Sequence, residues 1–411
     1  MSRILIVSLN FPPEPTSTGK YTGELAAYLG SHGFQVRVIT APPYYPQWKI
    51  QPGYKGWQYR HERFGEIEVF RCPLWVPARP SKLNRILHLL SFTLSSLPVL
   101  LLQLFWKPDL VLCIAPTLFS APNALITARL VGAKTWLHIQ DFELDAALNL
   151  NMLPGLHWFR PLAEAVEKIL LKRFARVSTI SENMLKRCLS KGVRPERAIL
   201  LPNWVDSGVI FSLIGENPLR IELGIRPEKV VVLYHGSMGR KQGLEILIKA
   251  AEIVQHDRKI LFLLSGEGPA KQELEQMAQD LPNVRFGGLQ PAEKLNLLVN
   301  LADIHVLPQL ASAADLVMPS KLTTMLASGK PVIATAQPET EIGRVVGKVG
   351  LLVPPENPAA LSKAILALSV SPCKRALLGN KGREYVLEVW GEDKVLPRFH
   401  AEIQLLLEVK K

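Results

Sequence analysis

Hydrophobic residues over the first forty positions alternate between continuous runs and helical spacing. Ile4–Val7 is an unbroken apolar run, Gly23–Gly30 carries apolar residues at helical spacing, and Gln35–Thr40 again has the pattern of a strand. A continuous apolar run predicts a strand buried on both faces, and the order strand, helix, strand predicts the start of a parallel βαβ sheet. Further strands of this kind are predicted at Leu110–Ile114, Lys134–Ile139, Arg176–Ile180 and Ala198–Leu201.

The same pattern restarts in the second half of the chain, where Val230–Tyr234 predicts a strand and Leu244–Val254 a helix. It continues with predicted strands at Ile260–Leu264, Val284–Phe286, Ile304–Leu307 and Val332–Ala334 and a charged helix at Ala270–Asp280. Two consecutive series of similar length predict an α/β chain of two Rossmann-like, doubly wound domains that face a cleft.

The two series are separated by Pro202–Pro218, a stretch with prolines and glycines that is typical of a domain boundary. We therefore expect an N-terminal domain at 1–206 and a second domain at 207–385. Residues 386–411 are expected to be mostly helical and to pack back on the N-terminal domain, with Pro397 kinking or breaking the helix.

One apolar segment does not fit the alternation. Ile86–Trp106 holds 21 residues without a formal charge, flanked by Arg85 and Lys107. Its length alone would permit a membrane span, but Pro98 interrupts it and a sheet strand follows at once. Three interpretations stay open: a helix on a membrane surface, a helix buried in the domain, and a true span.

Composition narrows the function classes. The chain has 411 residues, 48% of them hydrophobic, which suits two folded domains. Its net charge is +12, and residues 1–206 hold 24 Lys+Arg against 14 Asp+Glu, so the N-terminal half is the basic one. A basic half indicates an anionic partner surface, while a generally basic, solvated protein is the plainer interpretation.

The four cysteines and the first residues indicate the compartment. The cysteines are far apart and form no C-x-x-C pair, which is typical of reduced thiols in a cytosolic protein and of neither a disulfide framework nor a zinc site. The apolar run Ile4–Val7 is too short for a signal peptide. We expect a cytoplasmic protein.

The first candidate for phosphate chemistry is the turn that ends in Gly19-Lys20. A P-loop would need glycine at position 14 and serine or threonine at position 21, where the chain has Glu14 and Tyr21. The G-x-G-x-x-G fingerprint of dinucleotide binding is absent here as well. Two interpretations remain: a helix start at Gly19 that approaches a phosphate or sugar, and a structural turn.

The second candidate is His235–Gly243, which again lies between a predicted strand and a predicted helix. Its glycines, Gly239 among them, let the backbone approach an anion, and Arg240 with Lys241 can neutralise a diphosphate. A solvated basic turn is the alternative. Gly266-Glu267, after the next strand, is expected to bring backbone close to the base or ribose of a nucleotide.

The third candidate is the segment Asp315–Lys321 with the helix that follows it. Ser320 is expected to cap this helix, and the amides of the first turn, with Lys321 beside them, would face a diphosphate. An ordinary capped helix of an α/β domain is the alternative.

Taken together, these segments resemble the GT-B retaining glycosyltransferases of family four, in particular the WcaI/WbuB-like enzymes of exopolysaccharide and O-antigen assembly. The resemblance covers nearly the whole chain. The segments that carry it are Pro12–Gly19, His138–Asp145, Pro202–Asp206, His235–Glu245, Gly266–Gly268 and Pro319–Val332. Each is modest alone, and their order and spacing are specific.

The resemblance implies roles for residues of the second domain. Arg240 and Lys241 would hold the donor diphosphate, together with Ser320 and Lys321. The family has a pair of glutamates in this region, but Leu316 and Thr324 stand at their positions. The ribose contact would therefore be weaker or come from Thr324, and Asp315 is the candidate for the contact to the sugar hydroxyls. An ordinary residue on the helix face is the alternative interpretation of Thr324.

In the N-terminal domain the resemblance points to the end of a predicted strand, where His138 and Asp141 would face the cleft as catalytic residues. Asp141 would accept the proton of the acceptor hydroxyl, or orient that hydroxyl while the leaving phosphate takes the proton. Glu143 and Asp145 are rivals for this role, and a helix cap is the plainer interpretation of Asp141. No Asp-x-Asp occurs in the chain, so we expect no metal and no other cofactor.

These observations predict a retaining transferase that moves a sugar from a GDP- or UDP-linked donor to a polyprenyl-linked or other glycan acceptor at the inner face of the plasma membrane. A membrane-bound acceptor would explain both the basic N-terminal half and the apolar segment. A sugar-nucleotide 2-epimerase of similar fold is the alternative enzyme. A non-enzymatic membrane or nucleic-acid binder ranks lower, because nothing in the sequence resembles a nucleic-acid module, and we expect no nucleic-acid partner.

Overall fold

The computed structural model describes residues 1–14, 16–79, 81–116, 118–142, 160–311 and 320–408. The chain divides into two units, the first made of Met1–Pro202 with Leu396–Lys411 and the second of Asn203–Val395. The chain passes from the first unit to the second after Pro202, close to the expected boundary. It returns to the first unit after Val395, later than the expected 385, because the backbone N–H of Val205 donates to Trp390 O at 2.8 Å and ties that stretch to the second unit.

The first unit is a sheet with helices on its faces. Its strands are β1 (Arg3–Ser8), β2 (Gln35–Thr40), β3 (Arg60–Phe64), β4 (Ile67–Arg71), β5 (Leu110–Ala115), β6 (Lys134–Ile139), β7 (Arg176–Thr179) and β8 (Ala198–Leu200). Its described helices are α1 (Ser17–Ser31), α2 (Lys82–Trp106), α3 (Ala121–Val131), α4 (Arg160–Arg173) and α5 (Glu182–Ser190), with short 3-10 turns at Leu118–Ser120 and Pro195–Arg197.

The strand order of the first sheet is β3-β4-β2-β1-β5-β6-β7-β8, and every pairing is parallel except β3 with β4. The order reverses between β1 and β5, so this is the point where an open parallel sheet forms a crevice for ligands. The loops after β1, β5 and β6 share that edge. The predicted parallel sheet is confirmed.

The hairpin of β3 and β4 has no counterpart among the predicted strands. Four of the five residues of β3 are exposed, so its sequence shows no apolar run. Cross-strand ion pairs fix it instead: Glu62 accepts from Arg71 Nε at 2.5 Å, and Glu68 on β4 accepts from Arg37 Nε of β2 at 2.5 Å. Charged residues on an edge strand also discourage pairing with another chain.

The second unit repeats the plan with a smaller sheet. Its strands are β9 (Val230–His235), β10 (Ile260–Ser265), β11 (Val284–Gly287), β12 (Ile304–Pro308), β13 (Val332–Thr335) and β14 (Leu351–Val353). Its described helices are α6 (Pro218–Glu222), α7 (Glu245–Ile253), α8 (Lys271–Met277), α9 (Leu295–Asn300), α10 (Lys321–Ala327), α11 (Glu341–Val349), α12 (Pro358–Ser369) and α13 (Pro372–Trp390), with 3-10 turns at Arg240–Gln242 and Ala292–Lys294.

All pairings in the second sheet are parallel, in the order β11-β10-β9-β12-β13-β14. The chain moves one way from β9 to β11 and the other way from β12 to β14. The reversal therefore falls between β9 and β12. A large apolar cluster packs α7 and α12 on one face of the sheet, and a smaller cluster with Leu219 and Leu298 covers the other face.

The uncharged segment is a helix with two different faces. The side chains of His88, Phe92, Ser96 and Gln103 are buried against the first unit, whereas Leu94 is 70% and Phe105 86% exposed. In the described residues, Leu83–Trp106 is the one helix long and apolar enough to cross a bilayer. It connects β4 with β5 of the same sheet, and this favours a domain helix with one apolar face left open over a true span.

The C-terminal part is helical as expected, but its break is elsewhere. α13 ends at Trp390 and α14 (Glu392–Glu408) begins after the extended Gly391, while the helix continues through Pro397. The expected break at Pro397 is therefore wrong, while the alternative of a kink there stays a prediction. Pro397 is the sixth residue of this helix, so its missing N–H leaves one intrahelical hydrogen bond, to Asp393 O, unmade. The buried side chains of Phe399 and Ile403 belong to the first unit.

Candidate functional site

The start of α10 meets the end of β9 at the reversal point of the second sheet. The ammonium group of Lys321 donates to the phenol oxygen of Tyr234 at 2.8 Å and lies 4.5 Å from the centroid of its ring. A Cβ on Gly236 would come within 3.0 Å of the same ammonium nitrogen, and Gly236 has a φ of 117°. Glycine at 236 therefore leaves the space in which the cation sits.

The two glycine-containing loops pack backbone against backbone. Gly236 N donates to Ser265 O and Met238 N donates to Glu267 O, both at 2.9 Å. A Cβ on Gly266 would lie 1.8 Å from Gly236 O, a distance that no side chain can occupy. The backbone of the loop after β10 thus packs directly against the loop after β9. Because no side chain fits between them, position 266 requires glycine.

The ammonium group of Lys321 is largely shielded from water. Burial lowers the pKa of Lys321 to about 8, and burial together with the Lys321 charge lowers the pKa of His235 to about 3. The imidazole of His305, 5.9 Å from that of His235, is also buried, and its pKa is lowered well below the usual value. Both histidines are neutral at pH 7, so Lys321 carries the positive charge there.

The lowered pKa of Lys321 also affects the stability of the fold. Its pKa in the folded chain lies below the ordinary value of 10.5, so folding disfavours the ammonium form. The resulting cost is fully present below about pH 8 and disappears as the pH rises through 10.5. A bound anion would offset this cost, as expected of a cation in an anion-binding site.

Arg240 lies nearby in the chain but in a different environment. Its side chain is 81% exposed and pairs with Glu273 at 3.7 Å, a contact that solvent screens. It stands in the 3-10 turn Arg240–Gln242, which also contains the backbone of Lys241, and Gly239 precedes that turn. Glu267 is engaged with Lys271, whose ammonium donates to Oε1 at 2.7 Å.

The structure bears on two expectations for the start of α10, the cap by Ser320 and the ribose contact by Thr324. Ser320 has helical backbone angles and makes no capping hydrogen bond through its side chain, so the expected cap is wrong. A cap requires an extended backbone, which this residue does not have. The hydroxyl of Thr324 donates to Lys321 O at 2.9 Å, within its own helix. Asp315 and Leu316 lie outside the described residues.

In the first unit the loop after β1 is tied to the loop after β2. The carboxylate of Glu14 is 3% exposed and accepts from the backbone N–H groups of Tyr44 at 3.1 Å and Tyr45 at 2.6 Å, and from Asn10 Nδ2 at 2.6 Å. Burial raises the pKa of Glu14, while these hydrogen bonds oppose the rise. Glu14, the residue that rules out a P-loop, is thus a clamp between two loops.

Gly19 lies in the first turn of α1, where its N–H donates to the side chain of the capping residue Thr16 at 3.0 Å. A Cβ at this position would be 2.8 Å from that hydroxyl oxygen. The glycine therefore permits a tight cap, and this structural role accounts for it. Its predicted contact with the donor stays a prediction.

His138 is buried, although it was expected to face the cleft. It lies at the end of β6, but its side chain is 2% exposed and its ring contacts that of Phe399 at 5.2 Å between centroids. Burial lowers its pKa to about 3, and the ring bonds Ser178 Oγ at 2.8 Å and Gln140 Nε2 at 3.4 Å. The imidazole is therefore neutral at pH 7 and lies within hydrogen-bond distance of Gln140, and its expected catalytic role stays a prediction.

Asp141 follows Gln140 at the same edge of the sheet and is half-buried. It is the described carboxylate that remains a candidate on this side, since Glu143 and Asp145 lie outside the described residues. Within the described ranges, no three His, Cys, Asp or Glu side chains come together as ligands for a metal ion.

Comparison with known proteins gives consistent matches over the whole chain. Residues 17–204 match the family described as "Glycosyl transferase 4-like domain", and residues 229–370 match "Glycosyl transferases group 1". A relative from Escherichia coli (strain K12), "Putative colanic acid biosynthesis glycosyl transferase WcaI", is 40% identical over 98% of this chain and 100% of its own length.

Solved structures share the fold of the chain. Sucrose-phosphate synthase from Thermosynechococcus elongatus superimposes with a TM-score of 0.75 at 17% identity, over 100% of both chains. Anabaena Alr3699/HepE in complex with UDP-glucose gives a TM-score of 0.69 at 15% identity, over 98% of this chain and 100% of that one. The predicted GT-B class of fold is confirmed.

Proposed function

The chain belongs to the glycosyltransferases, with a 4-like domain followed by a group 1 domain, and from this premise we propose that it transfers a sugar from a UDP- or GDP-linked donor to a lipid-linked oligosaccharide, with retention of anomeric configuration. Exopolysaccharide or O-antigen assembly is the proposed setting. The name of the Escherichia coli relative, a colanic acid biosynthesis enzyme, supports it.

The observation that carries the donor proposal is the ammonium of Lys321 beside Gly236 at the reversal point of the second sheet. Departure of a nucleoside diphosphate develops negative charge on phosphate, and a preplaced, partly dehydrated cation stabilises that charge more strongly than one in water. Arg240 and Lys241 would approach the same diphosphate from the 3-10 turn. The Anabaena structure with UDP-glucose shares the fold and supports a sugar nucleotide as ligand.

On the acceptor side, Asp141 would orient the attacking hydroxyl. Either its carboxylate or the leaving phosphate takes the proton of that hydroxyl as the new glycosidic bond forms and the bond to phosphate breaks. Gln140, positioned by His138, would lie next to this carboxylate.

Donor binding and turnover test this function directly. Saturation-transfer NMR with a panel of UDP- and GDP-sugars would identify the donor, and turnover would then be measured with and without a lipid-linked acceptor fraction. Acceptor-dependent release of the nucleoside diphosphate is the expected result. Release of a free epimeric sugar without acceptor would instead identify the 2-epimerase, and binding of no sugar nucleotide would exclude both enzymes.

The affinity for the nucleoside diphosphate should depend on pH in a defined direction. Since the pKa of Lys321 is about 8, the free site carries its charge below that pH, and the dissociation constant should be flat between about pH 7 and 8, above the second ionisation of the terminal phosphate of the ligand at about pH 6. Above about pH 8 a proton must be taken up on binding, so the dissociation constant should rise by up to about tenfold per pH unit. Isothermal titration with UDP and GDP measures it, with uridine and guanosine as controls that should show no such rise.

The second part of the proposal concerns location: the enzyme is cytoplasmic and docks on the inner, anionic face of the plasma membrane. Support comes from the α2 apolar face, defined by Leu83, Leu87, Leu94, Leu101 and Phe105, all of them exposed and at helical spacing. Exposed Arg85 and Lys107 stand near its two ends. An apolar face with basic flanks is the pattern of a helix that lies in the interface of an anionic bilayer.

Removing apolar side chains from this face should release the protein from vesicles. Leu94→Ser together with Phe105→Ser is expected to weaken binding to vesicles of anionic and zwitterionic phospholipid by at least about tenfold, because two large side chains no longer enter the bilayer. Co-sedimentation measures the partition. Ile221→Ser with Leu377→Ser is the matched control, since these residues are 67% and 68% exposed in the second unit. Equal loss in both variants would contradict docking through α2.

A further inference from the structure

The side chain of Tyr234 bonds to both segments of the proposed donor site, the loop after β9 and the start of α10. It is 1% exposed, at the second-last position of β9, where a core residue would be expected. Its phenol nevertheless makes two polar contacts: its oxygen donates to Ser237 O at 2.5 Å and accepts from the ammonium of Lys321 at 2.8 Å. A phenol has one proton, so these two bonds use its donor and one of its acceptor positions.

These contacts join parts of the chain that are 87 positions apart. Ser237 belongs to the loop after β9, and Lys321 is the first residue of α10. The phenol therefore fixes the ammonium relative to the loop after β9. Without the hydroxyl, the four-carbon side chain of lysine could adopt other rotamers.

We propose that Tyr234 is a positioning residue of the donor site: its hydroxyl holds the Lys321 ammonium and the Ser237 carbonyl in the arrangement that receives the diphosphate of a sugar nucleotide. This rests on the proposed function, since the ligand class is taken from it. Tyr234 does not touch the ligand, and it acts through Lys321.

The titratable surroundings of the ammonium are simple in the part of the chain that is described. Burial raises the pKa of the Tyr234 phenol well above its ordinary value, so the phenol keeps its proton. His235, the neighbour on β9, is neutral at pH 7. The hydrogen bond from ammonium to phenol oxygen favours the charged form of lysine, so its removal should lower the pKa of Lys321 further.

The test uses Tyr234→Phe, which keeps the ring and removes only the hydroxyl. We expect the affinity for UDP or GDP, whichever the wild type binds, to fall about tenfold near neutral pH. We also expect the pH at which affinity begins to fall to move below that of the wild type. Tyr59→Phe is the matched control, because that phenol also donates to a backbone carbonyl, Ser95 O at 2.9 Å, but lies in the other unit.

A double-mutant cycle separates positioning from a general loss of packing. If Tyr234 acts through Lys321, Tyr234→Phe should cause little further loss of affinity in a Lys321→Met background. The same loss of affinity in both backgrounds, with no shift of the pH at which affinity falls, would overturn the proposal.

A measurement without ligand keeps this inference distinct from the proposed function. In the full chain with ¹³C-labelled lysine, the resonance of Lys321 is identified by its absence from Lys321→Met and titrated in wild type and Tyr234→Phe. A lower midpoint in Tyr234→Phe is expected, and an unchanged midpoint would refute the positioning contact. If the midpoint moves but the wild type binds neither UDP nor GDP, the contact stands and the donor proposal fails.

Discussion

Replacing Lys321 with methionine is expected to lower kcat/KM for the sugar nucleotide by roughly 10²–10³-fold, the effect of removing one preplaced group that stabilises charge in a transition state. Methionine keeps an unbranched apolar side chain that ends one atom short of the ammonium position, so contact with the ring of Tyr234 can persist. The loss should appear both in the dissociation constant of the nucleoside diphosphate and in turnover. Steady-state kinetics with the donor found by the binding panel measures it.

The control for this variant is Lys249→Met, which removes an exposed lysine of α7 in the same unit. It should leave turnover unchanged. Arg240→Ala is expected to cost only about tenfold, because the Arg240 guanidinium is exposed and screened whereas Lys321 is partly buried. Wild-type turnover in Lys321→Met would place the donor site elsewhere, and a larger loss in Arg240→Ala than in Lys321→Met would reverse the assigned order.

Replacing Gly266 with alanine should disrupt the second unit itself. The added Cβ would lie 1.8 Å from Gly236 O, so the two loops would have to separate and the bonds from Gly236 N and Met238 N would lengthen or break. We expect a loss of roughly 3 kcal/mol or more, which lowers the melting temperature of a unit of this size by about 6–12 °C. Donor binding should be lost with it, and calorimetry and isothermal titration measure the two effects.

Gly347→Ala provides the comparison. Gly347 lies in α11, and a Cβ there would meet no atom within 4 Å. Alanine favours a helix by about 1 kcal/mol over glycine, so this variant should melt at the same temperature or slightly higher. If Gly266→Ala behaved like Gly347→Ala, the close packing of the two loops would be refuted.

The sequence was most informative where strands are buried on both faces. β1, β5, β9 and β10 are continuous apolar runs because each is covered by helices on both sides, and their positions were predicted within a residue or two. The hairpin strand β3 carries arginine, histidine and glutamate and is held by ion pairs with other strands. Such partners are set by the tertiary fold and leave no periodic signal in one strand.

Prediction of the site was limited for the same reason. The glycine loops were recognised because glycine marks close backbone approach, and Lys321 was recognised by its position at a helix start. Tyr234 was missed, since a tyrosine within an apolar strand looks like a core residue and its partner lies 87 positions away. His138 was expected to face the cleft, because the sequence does not show that Phe399 packs against it.

The packing of Phe399 has a consequence for how this protein is made. Its ring stacks on Trp136 with centroids 5.8 Å apart and is fully buried in the first unit, yet it is translated only after all of Asn203–Val395. At a synthesis rate of roughly 5–20 residues per second, that interval lasts about 10–40 s. The first unit to leave the ribosome is therefore the last to complete its core, because Trp136 lacks the ring that stacks on it until the end of synthesis.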